Sequence, residues 1–513
     1  MYPKDPSQGI ILNIDINSVT TPFLNRTAKK PNLEKRDLFP FVDQYAETDV
    51  TALVFNIFCQ YSATPSQVFT DGAALYEREW ENGVSVCYHD YYSGIHRLNR
   101  EYGLDPYALW VDRCHEKNLK AWISIRMNDA HCNTEQASFL RSDFHYEALE
   151  KGWMIGEEYG YFHRCFDYAI PQVRERMLAY IAEQVARLDL DALELDFMRE
   201  PFCFDYLHCP EKCQIMNGFM RKVKAILSAQ GEKRGRPISL AVRLPRDIRQ
   251  ANAWGFDPET WAREGLIDHV NITPRWECSD HDMPIEEWKV SLPGVPVSAG
   301  IETICLRNDD GYAQASTAVV NGLAAAYTSR GADAIYLFNY FLDPDIPRHN
   351  PYTKRTHEIL RQCGHSEGIF SSPRRHIMLY QDLAPKGFAA YRPLPLTLEA
   401  GESGALSLPI GYLPKGKSCR LLVGLEAGSA EELSLQADGK TLAPLTPATF
   451  WESTEKNQWP EPAQGCDADM KALYIPSSVS LYATPLSPEG ERVGLSFKAQ
   501  EKTTISYIEI EIL

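Results

Sequence analysis

The sequence has little of what marks a nucleotide enzyme, a disulfide scaffold or a membrane protein. No G-x-x-x-x-G-K-[ST] occurs and no G-x-G-x-x-G follows the first hydrophobic run, so neither kinase nor dehydrogenase chemistry is indicated. A G-x-S-x-G elbow is absent too, which removes the α/β-hydrolase reading. Positive charge is in the minority, 52 Lys and Arg against 69 Asp and Glu for a net charge of −17, so no general positive field draws nucleic acid. No run of some 18 apolar residues is present, and the start, Met1-Tyr2-Pro3-Lys4-Asp5, carries no apolar signal core. The expectation is a cytoplasmic chain. Its 13 cysteines are odd in number, so reduced thiols are expected rather than a disulfide framework. Cys203, His208, Cys209 and Cys213, with His163 and Cys165 upstream, include no C-x2-C pair, so a structural zinc site is not expected.

What the 513 residues do contain is an alternation of strand-length hydrophobic runs with helical patterns. The runs fall at 9–17 (GIILNIDIN), 50–58 (VTALVFNIF), 119–127 (LKAWISIRM), 190–199 (LDALELDFMR), 237–244 (PISLAVRL), 267–276 (IDHVNITPRW), 296–302 (PVSAGIE) and 332–341 (ADAIYLFNYF). Between the third and fourth, Val173, Met177, Leu178, Ile181, Val185 and Leu188 recur at helical spacing behind Pro171. Eight buried runs separated by helices predict an α/β fold, a (β/α)8 TIM barrel, over residues 1–365. Past 364–375 (GHSEGIFSSPRR) the pattern becomes short strands and turns, ending in the alternation Ile508-Glu509-Ile510-Glu511-Ile512 with one face expected in the core. This predicts an all-β sandwich over 373–513 as an accessory domain.

The fourth run is the one that ought to be free of charge. Glu194 and Asp196 lie two positions apart on it and so share a face, about 7 Å from each other. Two like charges buried together are costly. A strand carries them where a substrate, a metal or strong hydrogen-bond partners meet them, or in a structural pair with a barrel arginine.

Polar residues also gather toward the carboxyl ends of the other runs. Asp15 and Asn17, Asn56, then Ser124, Arg126 and Asn128 mark the ends of the first three; Arg199 ends the fourth and Arg243 lies near the end of the fifth. Asn271, Thr273, Arg275, Trp276 and Glu277 mark the sixth, Glu302 the seventh and Asn339 the eighth. In a barrel these converge on the mouth where active sites are built. Asp15, Asn56, Arg126, Asn128, His131, Arg199, Arg243, Arg275, Trp276 and Asn339 are the candidate substrate-binding residues, Trp276 and Trp254 as rings for a sugar face. Arginines beyond what the carboxylates need would imply a negatively charged substrate group.

A barrel whose fourth and seventh strands end in acidic residues, followed by a β-sandwich, resembles the large clan of glycoside hydrolases with the acid/base on strand four and the nucleophile on strand seven. The strings FVDQYAETDVTALVFN, WISIRMNDAH, LDALELDFMR and GADAIYLFNYF are similar to those of a bacterial family of hydrolase-like barrel proteins, over most of residues 10–345. The resemblance implies an enzyme of carbohydrate metabolism that cleaves a glycosidic bond in an oligosaccharide or glycoconjugate. Its catalytic residues would be Glu302 with Glu194 or Asp196, its partner a carbohydrate, possible anionic groups included, and neither metal nor cofactor would be needed. The clan usually places Asn before the strand-four Glu, whereas Leu193 stands here and Asp196 is additional, so both acids remain candidates, with Glu277 in reserve. Asp196 lies nearer the strand's carboxyl end, which favours it as the acid. Two other readings fit the same residues: a metal-dependent isomerase or lyase using Asp15, Glu194, Asp196 and His131, and a barrel that binds glycan without turnover.

Overall fold

The computed structural model describes residues 6–78, 90–131, 139–204, 210–275, 279–308, 311–340, 356–378, 383, 385, 388, 393–449 and 479–513. Trp276, Glu277, His208 and Cys209 lie outside these.

The hydrophobic runs form β1 (Ile10–Ile14), β2 (Val50–Phe58), β3 (Lys120–Arg126), β4 (Ala192–Asp196), β5 (Ser239–Leu244), β6 (His269–Ile272) and β7 (Val297–Glu302). A hairpin, β8 (Ile304–Asn308) and β9 (Gly311–Gln314), follows without having been visible in the pattern, and β10 (Ala334–Phe338) is the last barrel strand. All neighbouring barrel strands are parallel, and they close in the order β1-β2-β3-β4-β5-β6-β7-β10. The barrel of eight parallel strands is thus as expected, though most strands are shorter than their hydrophobic runs. β1 stops at Ile14 because the Asp15 side chain accepts from Ser18 N at 2.7 Å and starts a helical turn.

Both barrel faces are buried, which is why the runs read as continuously apolar. On β4, Leu193 and Leu195 belong to the core shared with the outer helices, such as Pro171–Arg187. Ala192 belongs instead to a separate apolar cluster with Ile11, Ala52, Val54, Trp122, Ala241, Ala334, Tyr336 and Phe338, which fills the barrel. Strand alternation then sends Glu194 and Asp196 into the barrel above Ala192. Register turns this into rows: Asn56, Ser124, Glu194 and Ala241 are successive partners across β2 to β5, and Arg126, Asp196 and Arg243 form the next row toward the mouth.

The C-terminal part consists of β11 (Arg374–Ile377), β12 (Leu396–Leu398), β13 (Ser403–Pro409), β14 (Cys419–Ala427), β15 (Leu433–Ala437), β16 (Lys440–Thr441), β17 (Thr446–Pro447), β18 (Ser480–Leu486), β19 (Arg492–Ala499) and β20 (Thr503–Ile512). One antiparallel sheet runs β11-β20-β14-β18-β17 with β12 on β20, the other β13-β19-β15-β16. Leu421, Val423, Ile508 and Ile510 of the first pack with Val493, Leu495 and Phe497 of the second.

The alternation at the end of β20 was expected to bury one face; both are buried, with Glu509 and Glu511 fully enclosed. The helix Thr317–Ser329, buried from Ala318 to Thr328, lies between barrel and sandwich against β11. There Gly322 is required, since a Cβ would stand 2.1 Å from Arg375 O. Enclosed carboxylates need partners: Glu509 takes both Nε and Nη2 of Arg375, and Glu511 takes Arg420.

Candidate active site

Asp196, Asp15, Asp129 and Glu200 are held differently from Glu194. Asp196 accepts the backbone N–H groups of Met198 and Arg199, both at 2.8 Å, with one oxygen and Arg243 Nη1 at 3.0 Å with the other. Arg243 in turn donates Nε to Thr273 Oγ1 at 2.8 Å and Nη2 to the carbonyls of Pro274 and Arg275, while its guanidinium lies 4.2 Å from the Phe338 ring centre. Thr273 reaches this position because residue 300 is glycine: a Cβ there would meet Thr273 Cγ2 at 2.2 Å. Asp196 therefore fastens the turn after β4 to the end of β5.

A second cluster stands on β1 to β3. Arg126 bridges Asp15 Oδ2 at 2.5 Å and Asp129 Oδ2 at 2.9 Å. Asp129 also accepts from the backbone N–H and Nδ1 of His131, at 2.9 and 2.6 Å. With Nδ1–H on Asp129, His131 Nε2 is free to accept from Arg199 Nη2 at 2.7 Å. Burial opposes the charged form of Asp129, yet His131, Arg126 and Arg199 outweigh it and hold its carboxyl well below the usual range. Asp15 is likewise held low by Arg126 against its burial. Arg275 completes the set with a bidentate grip on Glu200, at 2.8 and 2.9 Å, beneath the rings of Tyr161 and Phe162.

Glu194 sits one row deeper, fully buried, and its hydrogen bonds come from neutral groups. Asn271 Nδ2 donates to Oε2 at 2.6 Å and the Tyr336 hydroxyl to Oε1 at 3.0 Å; that hydroxyl accepts from Asn13 Nδ2 at 2.8 Å. Burial, and then the Asp196 charge, push its carboxyl up to about 7. Across the barrel, fully buried Glu302 ends β7 and accepts from Asn339 Nδ2 at 2.6 Å. Asn339 holds a left-handed φ of 52°, unusual for a side-chain-bearing residue, at the point where the chain leaves β10.

Thus Asp15, Arg126, His131 and Arg199 come together on one side of the mouth, Asp196 and Arg243 on another, and Glu302 with Asn339 on a third. Asn56 faces inward in the Glu194 row, its Oδ1 accepting from Phe58 N. Arg275 is locked to Glu200. Asn128 acts as a loop fastener, donating to the carbonyls of Phe166 and Phe202 and accepting from Phe166 N. Trp254 is buried beside Phe202. Sequence reasoning passed over Asp129, Glu200, Asn13 and Tyr336. For Asn13 and Tyr336 the signal was present, since each lies two positions before an inward-facing residue at its strand end, Asp15 and Phe338.

The four acids and bases of the metal-dependent reading are divided among these partners. Among the described residues the grouping with ligand-like spacing is Cys59, Asp129 and His131, whose candidate atoms lie within 4.8 Å of one another. Arg126 already occupies the Asp129 oxygen nearest Cys59 Sγ, which stands 3.2 Å from it, and burial with the Asp129 charge pushes that thiol up. Both effects oppose a cation there.

No protein-family model matches the chain, and no curated protein matches it. Solved structures similar to it are glycoside-active enzymes. A cycloisomaltooligosaccharide glucanotransferase from Paenibacillus sp. is 8% identical, with TM-score 0.34, over 98% of this chain and 57% of that one. The alpha-L-fucosidase isoenzyme 2 from Paenibacillus thiaminolyticus is 14% identical, with TM-score 0.39, over 69% and 48%. An alpha-amylase from Geobacillus thermoleovorans is 11% identical, with TM-score 0.37, over 96% and 99%. The chain thus spans about half the length of the first two. Among the described residues, no helix is long and apolar enough to cross a membrane.

Proposed function

We propose that the chain is a glycoside hydrolase acting at the carboxyl end of its barrel, with Glu194 as general acid and Glu302 as the carboxylate opposite. The observation that supports this most is the condition of Glu194, a fully buried carboxyl hydrogen-bonded by Asn271 and Tyr336 and raised to about 7. Cleaving a glycosidic bond needs one carboxyl that still holds its proton near neutral pH and a second that is ionised, and such pairs arise when their environments push the pKa values apart. In this proposal Asp196 is a positioning residue: its charge raises Glu194, and its bonds set Arg243 and the turn at Met198. The guanidiniums of Arg126, Arg199, Arg243 and Arg275 each stand beside a carboxylate of the protein, which favours a neutral sugar over an anionic one.

The test is hydrolysis of a panel of aryl glycosides and natural oligosaccharides, with and without chelator. Turnover that survives chelator, collapses in Glu302→Gln on every substrate and collapses in Glu194→Gln on substrates with poor leaving groups is the expected result. If Asp196 is the acid instead, Asp196→Asn will lose activity toward poor leaving groups and keep it toward activated aryl glycosides, the pattern expected here of Glu194→Gln.

A further inference from the structure

The donor that Asn271 offers Glu194 depends on which way its carboxamide faces, and an amide can face either way. Its neighbour decides. His269 stands two residues before Asn271 on β6 and on the same inner face, in the register row that runs Asn56, Ser124, Glu194, Ala241, His269 across β2 to β6. Its ring is buried, meets the Trp122 ring edge to face at 5.4 Å, has Nε2 2.5 Å from Ser298 Oγ and hydrogen-bonds the Asn271 side chain. That bond favours the protonated ring, so the imidazole N–H donates and the amide oxygen accepts. With its oxygen on His269, Asn271 has its NH2 left for Glu194, where Nδ2 donates to Oε2 at 2.6 Å. Flipped, the amide would set its oxygen against the carboxylate and its NH2 against the ring N–H, two contacts of like polarity.

From this we infer that His269 is a positioning residue for Glu194, holding the Asn271 amide so that it presents a donor to the carboxyl. The inference goes beyond the hydrolase reading, since it concerns how the barrel sets this carboxyl whatever the substrate. The ring can act in this way because it is neutral, its pKa lowered by burial to about 4. A cation in that place would draw the proton off Glu194, whereas a neutral N–H turns the amide and adds no charge. The consequence falls on the ionised form of Glu194. Burial and the Asp196 charge oppose that form, while the bond from Ser124, the Arg243 charge and the bond from Asn271 favour it. A general acid gives up its proton in each turnover and takes one back. In the proposed hydrolysis, His269 keeps the Glu194 carboxyl acidic enough to do so near neutral pH.

The experiment is carboxyl-carbon NMR of the glutamate-labelled full chain, titrated as wild type, as His269→Phe, which keeps a ring against Trp122 and removes the N–H, and as His269→Gln, which brings an N–H back. Circular dichroism checks each fold. The expected result is a Glu194 midpoint about one pH unit above that of the wild type in His269→Phe, the tenfold that one hydrogen bond is worth, and a return toward the wild-type value in His269→Gln. A midpoint in His269→Phe equal to or below that of the wild type would overturn the inference, as would a Gln variant that titrates like the Phe variant. If His269→Phe does not fold, the wild type decides: in asparagine-labelled protein the Asn271 NH2 signals should follow the Glu194 titration, and signals indifferent to it mean that the amide faces the other way. With any glycoside that is turned over, the alkaline limb of kcat/KM should move up in His269→Phe together with the Glu194 midpoint. The two readings fail separately. An unmoved midpoint ends this inference and leaves the hydrolase, whereas a raised midpoint in a chain that turns over no glycoside ends the hydrolase and leaves His269 in its role.

Discussion

The strands β20 and β4 both bury glutamates completely, and they treat them in opposite ways. In the sandwich, Glu509 on β20 is gripped by both Nε and Nη2 of Arg375 and Glu511 is paired with Arg420. In the barrel, Glu194 on β4 is equally enclosed but receives its hydrogen bonds from neutral side chains, those of Asn271, Tyr336 and Ser124, with the like charge of Asp196 two residues on. Both sequences show the same thing, acids at alternate positions among Leu or Ile. Burial of a carboxylate on a strand therefore does not mark a site; the chemistry of what it is buried against does. A guanidinium fixes the charge as a structural ion pair, whereas neutral donors beside a second carboxylate keep a proton available.

The contrast is broken most severely in the barrel. Replacing Glu194 or Glu302 by Gln should lower turnover by roughly 10² to 10⁴ with the fold retained, the range lost when a general acid or base is removed; steady-state kinetics with circular dichroism would check this. Its counterpart in the sandwich should cost stability and leave the chemistry intact. Arg375→Met strands Glu509 without its cation and should destabilise the protein by about 3 to 5 kcal/mol. The double variant with Glu509→Gln should recover most of that, both read from urea unfolding.

The next effect is in pH. Glu194 holds its proton up to about 7 in the folded protein and would release it near its ordinary 4.5 when unfolded. Between those values the folded state binds the extra proton, so this group's contribution is full below pH 4.5 and is lost as pH rises through 7. Wild type should lose on the order of 3 kcal/mol across that window relative to Glu194→Gln. A parallel pair of stability curves would show that Glu194 titrates normally. Smallest is the partly exposed bridge between the two parts: Arg492→Ala, which removes the bonds to Asp282, should change stability by no more than about 1 kcal/mol.

The barrel was legible because hydrophobic runs, helical spacing and their count constrain a parallel sheet tightly, and strand alternation alone sends Glu194 and Asp196 to one inner face. Their division of labour was not legible. Asp196 looks the better acid from its place nearer the mouth, but the backbone N–H groups of Met198 and Arg199 and the Arg243 guanidinium engage it, contacts that depend on a turn and a neighbouring strand. The arginines were read as a possible anion site, whereas Asp129 and Glu200, in loops after β3 and β4, take up Arg126 and Arg275. Loop residues become partners only through tertiary approach, as with Asn128, which binds the loops at Phe166 and Phe202. The burial of Glu509 was hidden for the same reason, since its partner Arg375 lies on β11, far away in sequence.

The central claim is that Glu194 is a carboxyl that keeps its proton near neutral pH, and carboxyl-carbon NMR of protein labelled at glutamate tests it without any substrate. Titrated from pH 4 to 9 beside Glu194→Gln, the wild type should show one glutamate with a midpoint of about 7 that is missing from the variant. If the resonance absent from the variant titrates near 4.5 instead, Glu194 is an ordinary ionised carboxylate and its role as the acid is contradicted.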